Sequence, residues 1–170
     1  MPDEPQPDSV KIVGLTPDQW ETYRDIRLRG LLEAPQAFLR SYEEEKAFPP
    51  ERWLQRASNP YNFLALEDGV PLGTMGAFVE GESGDRVAHI VGVFVTEKAR
   101  GKGIGSKLLN AVMGKIRQDR SIKTVRLTVN KDQLSAVRLY EKFGFRITGE
   151  ESQTMGDGND HTEYFMELVL

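Results

Sequence analysis

The spacing of apolar residues in the first third of the chain predicts one strand followed by helices. The first strand candidate is Val10 to Gly14. Thr16-Pro17-Asp18-Gln19 has the form of a capping box with Pro at the first helical position. The residues after it are apolar at roughly helical spacing: Trp20, Tyr23, Leu28, Leu31 and Leu32. Ser41 to Glu44 offers a second capping box, and Pro50 to Ala57 predicts a short helix.

From Asn62 onwards the pattern becomes that of β-strands. Asn62 to Glu67 reads as a strand, Asp68-Gly69 as a tight hairpin turn, and Pro71 to Val79 as the partner strand. Val87 to Val95 is apolar on both faces, which is typical of a strand in the centre of a sheet. The middle of the chain is therefore predicted to form antiparallel strands that lead into a central one.

The second half of the chain mixes helices and strands. Apolar residues between Ile104 and Ile116 mark an amphipathic helix, Thr124 to Val129 is a β-branched strand, and Ser135 to Lys142 is a short helix stopped by Gly144. Two strand candidates close the chain, Phe145 to Met155 and Thr162 to Leu170. Because antiparallel strands come first and a helix precedes the next strand, the predicted fold class is α/β (α+β) with a single sheet.

Composition and charge narrow the classes of function. The 170 residues carry a net charge of −4, which argues against a nucleic-acid partner, and contain no cysteine and only two histidines, so no metal site is expected. Residues 1–9 are acidic and Pro-rich and are expected to be a disordered leader rather than a signal peptide. Residues 10–170 are expected to be one domain of a cytoplasmic protein without a membrane partner, since no apolar run approaches bilayer length.

A glycine-rich basic segment stands where the central strand passes into the long helix. It reads Arg100-Gly101-Lys102-Gly103-Ile104-Gly105, and between Glu97 and Lys107 four basic residues stand against one acidic residue. Glycine lets the backbone approach a ligand closely, and the free N–H groups of a helix's first turn favour phosphate. The segment therefore predicts an anion site.

The spacing of this segment excludes two common phosphate loops. Both a Walker loop counted from Gly101 and a dinucleotide fingerprint need a glycine where Ser106 stands. What remains is Arg-x-x-Gly-x-Gly after an apolar strand. A second motif follows some twenty-five residues later: Asn130 at a strand end, then Ala136, then Leu-Tyr-Glu-Lys-x-Gly-Phe ending at Phe145. In order and spacing the two motifs resemble those of the GNAT (GCN5-related N-acetyltransferase) superfamily.

This resemblance implies a fold and a co-substrate. The fold would be a mixed, mostly antiparallel sheet of about seven strands flanked by about four helices, with splayed central strands. The co-substrate would be acetyl-CoA, its pantetheine arm lying against the backbone of Val93, Phe94 and Val95. Its pyrophosphate would lie on the amides of Arg100, Gly101, Lys102, Gly103, Ile104 and Gly105, and of Ser106. Asn130 would reach the pantetheine arm, and Ser135 stands where the family often has a second Asn.

The resemblance also implies two catalytic residues. Tyr140 would donate a proton or hydrogen bond to the departing sulfur, although packing on the helix's apolar face explains the same residue. His89 matches the position of a general base in several members, although a lone strand His is often simply packed or partly exposed. Glu80 and Glu97 are weaker candidates for the base, and water alone would also serve.

The acceptor is the part that the sequence leaves open. Glu43, Glu44 and Glu45 would attract a cationic amine, but a helix N-terminus explains all three better. Trp53 and Phe38 would wall a pocket, but core packing explains both. The expected partner is a small-molecule or peptide amine, with the protein a monomer or homodimer, and the alternative function is a non-catalytic acyl-CoA-binding module.

Overall fold

The computed structural model describes residues 9–170, and the predicted leader therefore lies outside the described residues except for Ser9. The Ser9 hydroxyl donates a hydrogen bond to the Glu67 carboxylate at 2.6 Å. The rest of the described chain forms one sheet with helices on both of its faces.

The sheet of the described chain has seven strands in the order β1-β2-β3-β4-β5-β7-β6. All neighbouring strands are antiparallel except β4 and β5, which are parallel. The strands are β1 (Val10–Gly14), β2 (Phe63–Glu67), β3 (Val70–Glu80), β4 (Arg86–Val95), β5 (Ile122–Asn130), β6 (Arg146–Thr154) and β7 (Asp160–Val169). The mixed, mostly antiparallel sheet expected from the sequence is confirmed.

Five α-helices are described, one more than expected, because α2 forms a separate single turn. They are α1 (Trp20–Glu33), α2 (Tyr42–Lys46), α3 (Pro50–Ala57), α4 (Ile104–Arg117) and α5 (Leu134–Phe143). Residues of α1 and α3 form an apolar cluster with Leu64 and Phe94 on one face of the sheet. Residues of α4 and α5 form the larger cluster on the other face. Within residues 9–170, no helix has the length and apolar character needed to cross a membrane.

Strands β4 and β5 are paired at one end only. Their register joins Arg86–His89 to Ile122–Arg126, and no pairing of the two strands is described beyond His89 and Arg126. On its other side β4 stays paired to β3, where Thr74 faces Phe94 and Gly76 faces Val91. Two β4 residues, Gly92 and Val93, thus oppose one β3 residue, and this β-bulge includes Gly92 at a φ of +65°. The central strands are splayed, as the family resemblance implied.

Candidate functional site

The glycine-rich segment lies at the open end of the splay, between β4 and α4. Gly101 and Gly103 have φ values of +76° and +78°, in the left-handed region that disfavours side chains. A Cβ atom added to either glycine would meet no atom within 4 Å, so the space above this backbone is open. The first α4 bond runs from the Lys107 amide to the Gly103 carbonyl at 3.1 Å. The amides of 104–106 precede that bond and have no acceptor within the helix, which suits a pyrophosphate.

Arg100 ties this loop to the end of the central strand. Its Nε donates a hydrogen bond to the Val95 carbonyl at 3.0 Å. That carbonyl is one of the backbone groups expected to bond a pantetheine arm, and its second lone pair is the one left for a ligand. The Phe94 side chain is buried beneath Gly30 of α1, so the cofactor contact predicted for Phe94 involves only its backbone.

A cavity of about 550 Å³ opens on the splay, on the face of the sheet that carries α1. Its walls come from β3 to β7, with side chains that include Phe78, His89, Val91, Thr128 and Phe165. His89 occupies the last paired position of β4, so it stands at the apex of the splay. The predicted base, His89, therefore lies in the wall of this cavity, at the closed end of the gap between β4 and β5.

The imidazole of His89 is held by two residues of β3. Its Nε2 lies 2.6 Å from Oε1 of Glu80, and its ring stacks on that of Phe78 with centroids 4.8 Å apart and planes 12° apart. The sequence named His89 and Glu80 as separate base candidates and missed their pairing. The signal that could have revealed this pairing was the register of the β3–β4 hairpin. It makes Phe78 the direct partner of His89 and so places Glu80, two residues further along β3, close to the imidazole.

Tyr140 lies on α5, on the opposite side of the sheet from the His89 side chain. It is 3% exposed and packs edge-on against Phe145 with ring centroids 5.9 Å apart. Burial raises the pKa of the phenol above its ordinary value, so the hydroxyl is neutral near pH 7 and keeps its hydrogen as a donor. Tyr140 shares its apolar cluster with Ile90 and Leu127, which also line the cavity. Packing is thus observed, and the contact with sulfur stays a prediction.

The two polar residues predicted to meet the pantetheine arm differ in their surroundings. Asn130 is 4% exposed, and its side-chain oxygen accepts a hydrogen bond from the Asp132 amide at 2.9 Å. The side-chain nitrogen of Asn130 and the second lone pair of its oxygen are left for a ligand. Ser135 is exposed in the first turn of α5. Both cofactor contacts stay predictions.

Of the three consecutive glutamates, Glu45 has a role that the sequence did not suggest. Its side chain is fully buried between two arginines, with Arg27 nitrogens at 2.9 and 3.0 Å and Arg56 Nη1 at 3.0 Å. Burial raises the pKa of this carboxyl, but hydrogen bonds and charge from Arg27 and Arg56 outweigh it and lower the pKa overall. The two arginines therefore account for a glutamate at position 45, and neither a helix N-terminus nor a cationic acceptor is needed to explain it. Trp53 and Phe38 are buried in the α1 cluster, as core packing predicted.

A second buried carboxylate, Glu163 on β7, was not identified from the sequence. It is 4% exposed and lies directly across from Asn130 in the β5–β7 ladder. Burial raises the pKa of Glu163, and the charge of His161 opposes this only in part. The sequence signal was weak, because Glu163 ends a run of four polar residues, and glutamate usually faces water. Within residues 9–170, no three His, Asp or Glu side chains are grouped so as to hold a metal ion.

Comparison with known proteins identifies the family. The sequence profile of the acetyltransferase (GNAT) family matches residues 20–145, and the chain belongs to this family. The chain is 35% identical over 57 residues to a spermine/spermidine N(1)-acetyltransferase of Bacillus subtilis, covering 34% of this chain and 38% of that protein. It is 33% identical over 75 residues to an N-alpha-acetyltransferase of Saccharolobus solfataricus, covering 44% of this chain and 45% of that protein. The matched region thus spans less than half of either relative.

The fold is also found among solved structures. A GNAT-family acetyltransferase of Streptococcus pneumoniae superimposes with a TM-score of 0.79 at 19% sequence identity, covering 95% of this chain and 99% of that one. At this level of identity the likeness concerns the fold. Both the family and the fold expected from the two sequence motifs are confirmed.

Proposed function

We propose that this protein is an acetyl-CoA-dependent N-acetyltransferase that passes the acetyl group directly to a primary amine in a ternary complex. The observation that carries this proposal is the splay between β4 and β5. A basic glycine loop lies at its open end and the His89–Glu80 pair at its closed end. A long ligand with an anionic end and a reactive end fits this arrangement.

The loop and the strand would bind the two ends of acetyl-CoA. The amides of 101–106, beside Arg100 and Lys102, would hold the pyrophosphate, and the open space above Gly101 and Gly103 admits it. The pantetheine arm would run along 93–95 towards the apex, with Asn130 and Ser135 on the far side of the gap. The thioester supplies an acyl group that an amine can attack.

The two proposed catalytic side chains would reach the gap from opposite faces of the sheet. An alkyl ammonium with a pKa of ~10 must lose a proton before its nitrogen can attack. His89 would accept that proton, directly or through water, with Glu80 orienting the imidazole. As the new C–N bond forms and the C–S bond breaks, the neutral Tyr140 hydroxyl would donate a proton or hydrogen bond to the sulfur. The second proton lost by the nitrogen would pass through solvent to replace any proton that Tyr140 gives up. His89, the proton acceptor, and Tyr140, the proton donor, would thus act from opposite faces of the sheet.

The acceptor would enter from the α1 face, where the cavity lies. Named relatives act on polyamines and on N-terminal α-amino groups, so both small molecules and peptides stay within the proposed range. Phe78 and Val91 are exposed beside His89 and would contact apolar parts of such an acceptor. The protein would act as a monomer or homodimer in the cytoplasm.

The test is thiol release from acetyl-CoA across a broad panel of amines, with a control lacking any acceptor. Amine-dependent release by folded protein supports the proposal, and the best acceptors define the substrate class. Binding of acetyl-CoA without release on any amine or peptide would favour a non-catalytic acyl-CoA-binding module instead. Absence of acetyl-CoA binding would contradict both functions.

A further inference from the structure

The structure contains two buried glutamates with opposite surroundings. The carboxylate of Glu45 is enclosed by the guanidinium groups of Arg27 and Arg56. Glu163 is nearly as buried, yet among the described residues no hydrogen bond or ion pair reaches its carboxylate. Within residues 9–170, the one basic side chain that acts on it is His161, whose own Nε2 lies 2.7 Å from Oδ2 of Asp157.

The position of Glu163 connects it to the cavity. Side chains on a β-strand alternate between faces, so 163, 165 and 167 of β7 share one face with their β5 partners. Arg126 and Glu167 form an ion pair on that face, and their neighbours Thr128 and Phe165 line the cavity. Asn130 and Glu163 are the next pair in the same row, towards the open end of the splay.

The carboxylate is also accessible to a ligand. Within residues 9–170, no buried polar side-chain atom is wholly enclosed without a partner, so an edge of this carboxylate must reach solvent. On its other side Glu163 faces Glu151 of β6, which is exposed and adds negative charge. A charged group in such a place destabilises the folded protein unless a cation or hydrogen-bond donor meets it.

We propose that the Glu163 carboxylate receives an ammonium group of the acceptor. This inference rests on the proposed acetyltransferase function and narrows its substrate class to alkyl amines that are cationic near neutral pH. Phe165 and Thr128 would lie between this ammonium site and His89. From Glu163 to the level of His89 the row covers four residues of β7, about 13 Å at the rise of a β-strand. An acceptor with two amino groups separated by a chain of about that length would span the row, with one nitrogen at Glu163 and the other at the apex.

The experiment compares Glu163→Gln with wild type, using 1,10-diaminodecane, whose extended chain matches the row, and n-decylamine as acceptors. Glu163→Gln should raise the KM for 1,10-diaminodecane at least about tenfold, the loss expected for a charge-assisted hydrogen bond, while the KM for acetyl-CoA is unchanged. The diamine should lose more than the monoamine. Glu163→Asp, which retains the charge on a shorter side chain, should fall between the two proteins.

Glu151→Gln is the matched control, because it removes a carboxylate from the same face one strand further out. It should leave the KM for both amines within about twofold, since the charge lost is exposed. An unchanged diamine KM in folded Glu163→Gln, with active wild type, would overturn the inference.

Calorimetry separates this inference from the proposed function. Binding of 1,10-diaminodecane to wild type in the presence of CoA should be at least about tenfold tighter than to Glu163→Gln. If wild type acetylates no amine, the proposed function fails, and this binding difference alone then decides the role of Glu163. Equal binding by the two proteins would overturn it.

Discussion

Nε2 of His89 lies 2.6 Å from Oε1 of Glu80, and the pair stands where the ladder between β4 and β5 ends. A carboxylate held against one imidazole nitrogen fixes the ring's orientation. The other ring nitrogen is then the one left to take a proton from a substrate. This relationship gives His89 a defined place in the proposed reaction.

His89→Ala should lower kcat for amine acetylation about 100-fold or more, because general base catalysis typically contributes that much. Glu80→Gln should cause a smaller loss, since it removes only the group that orients the ring. Steady-state kinetics with saturating acetyl-CoA measures both effects, and added imidazole should restore part of the activity of His89→Ala.

His161→Ala serves as the control for this prediction, because His161 is also paired to a carboxylate, at 2.7 Å, but does not line the cavity. Its kcat should stay close to that of wild type. An unchanged kcat in His89→Ala would assign the proton to water instead.

Tyr140→Phe should lower kcat about 100-fold and leave the KM for acetyl-CoA nearly unchanged, because only the hydroxyl is removed. The edge-on packing against Phe145 is retained, so the free energy of unfolding should change by less than about 1 kcal/mol. Kinetics and urea unfolding of the same preparation separate these two quantities.

Tyr164→Phe is a matched control for the loss of a phenol, since this ring packs against the same apolar cluster. Its turnover should match that of wild type. If Tyr140→Phe also turns over normally, the residue is a packing residue and has no part in the chemistry.

Gly103→Val should weaken acetyl-CoA binding about tenfold or more, because valine disfavours a φ of +78° and its side chain occupies the space proposed for pyrophosphate. Equilibrium binding monitored by calorimetry is the direct measurement. Normal affinity in the folded variant would contradict the assignment of this loop.

Gly114→Ala is the control within the same helix. A Cβ added there meets no atom within 4 Å, and the residue has ordinary helical backbone. Alanine should therefore stabilise the protein by up to about 1 kcal/mol without changing acetyl-CoA affinity.

Glu45 and Glu163 should affect the pH dependence of stability in opposite directions. The folded pKa of Glu45 lies below its ordinary value of 4.5, so its contribution is present above pH 4.5 and is lost as pH falls through the folded pKa. The folded pKa of Glu163 lies above 4.5, so its contribution is present below pH 4.5 and is lost as pH rises through the folded pKa.

At pH 7, Glu45→Gln should therefore be destabilised by about 3–5 kcal/mol, the cost of breaking a buried ion pair. Glu163→Gln should be as stable as wild type or more stable, because it removes an unpaired buried charge. Both differences should narrow as pH falls to 4.5 and below. Urea unfolding at several pH values measures them, and a destabilised Glu163→Gln at pH 7 would show that its carboxylate has a structural partner.

Much of the fold was accessible from the sequence because local signals determine it. The bounds of β1 and α3 agree with prediction, since turn residues and helix-start residues delimit both segments. α1 begins at Trp20 rather than Pro17, because 17–19 form a 3₁₀ turn closed by hydrogen bonding between Thr16 and Gln19. The glycine loop could be recognised from the sequence because its left-handed backbone at Gly101 and Gly103 favours glycine.

What the sequence did not reveal depends on contacts between distant segments. Glu45 is buried because α1 and α3 supply arginines 18 and 11 residues away, which no local pattern encodes. Glu163 ends a run of four polar residues at the start of β7, close to where the β6–β7 turn meets the segment after α1. There the Gly156 amide donates a hydrogen bond to the Phe38 carbonyl at 2.7 Å. Such docking becomes visible only in the folded chain.

The one-ended pairing of β4 and β5 leaves two strand edges inside the sheet rather than at its border. Strand edges normally risk adding a strand from another protein chain and so promote aggregation. Here α1 and α4 both contact β4, one from each side of the sheet, so a full strand with its side chains has little room to enter. A thin, flexible ligand without side chains meets no such obstacle. The protein thus offers unpaired peptide groups to a small molecule while withholding them from other polypeptides.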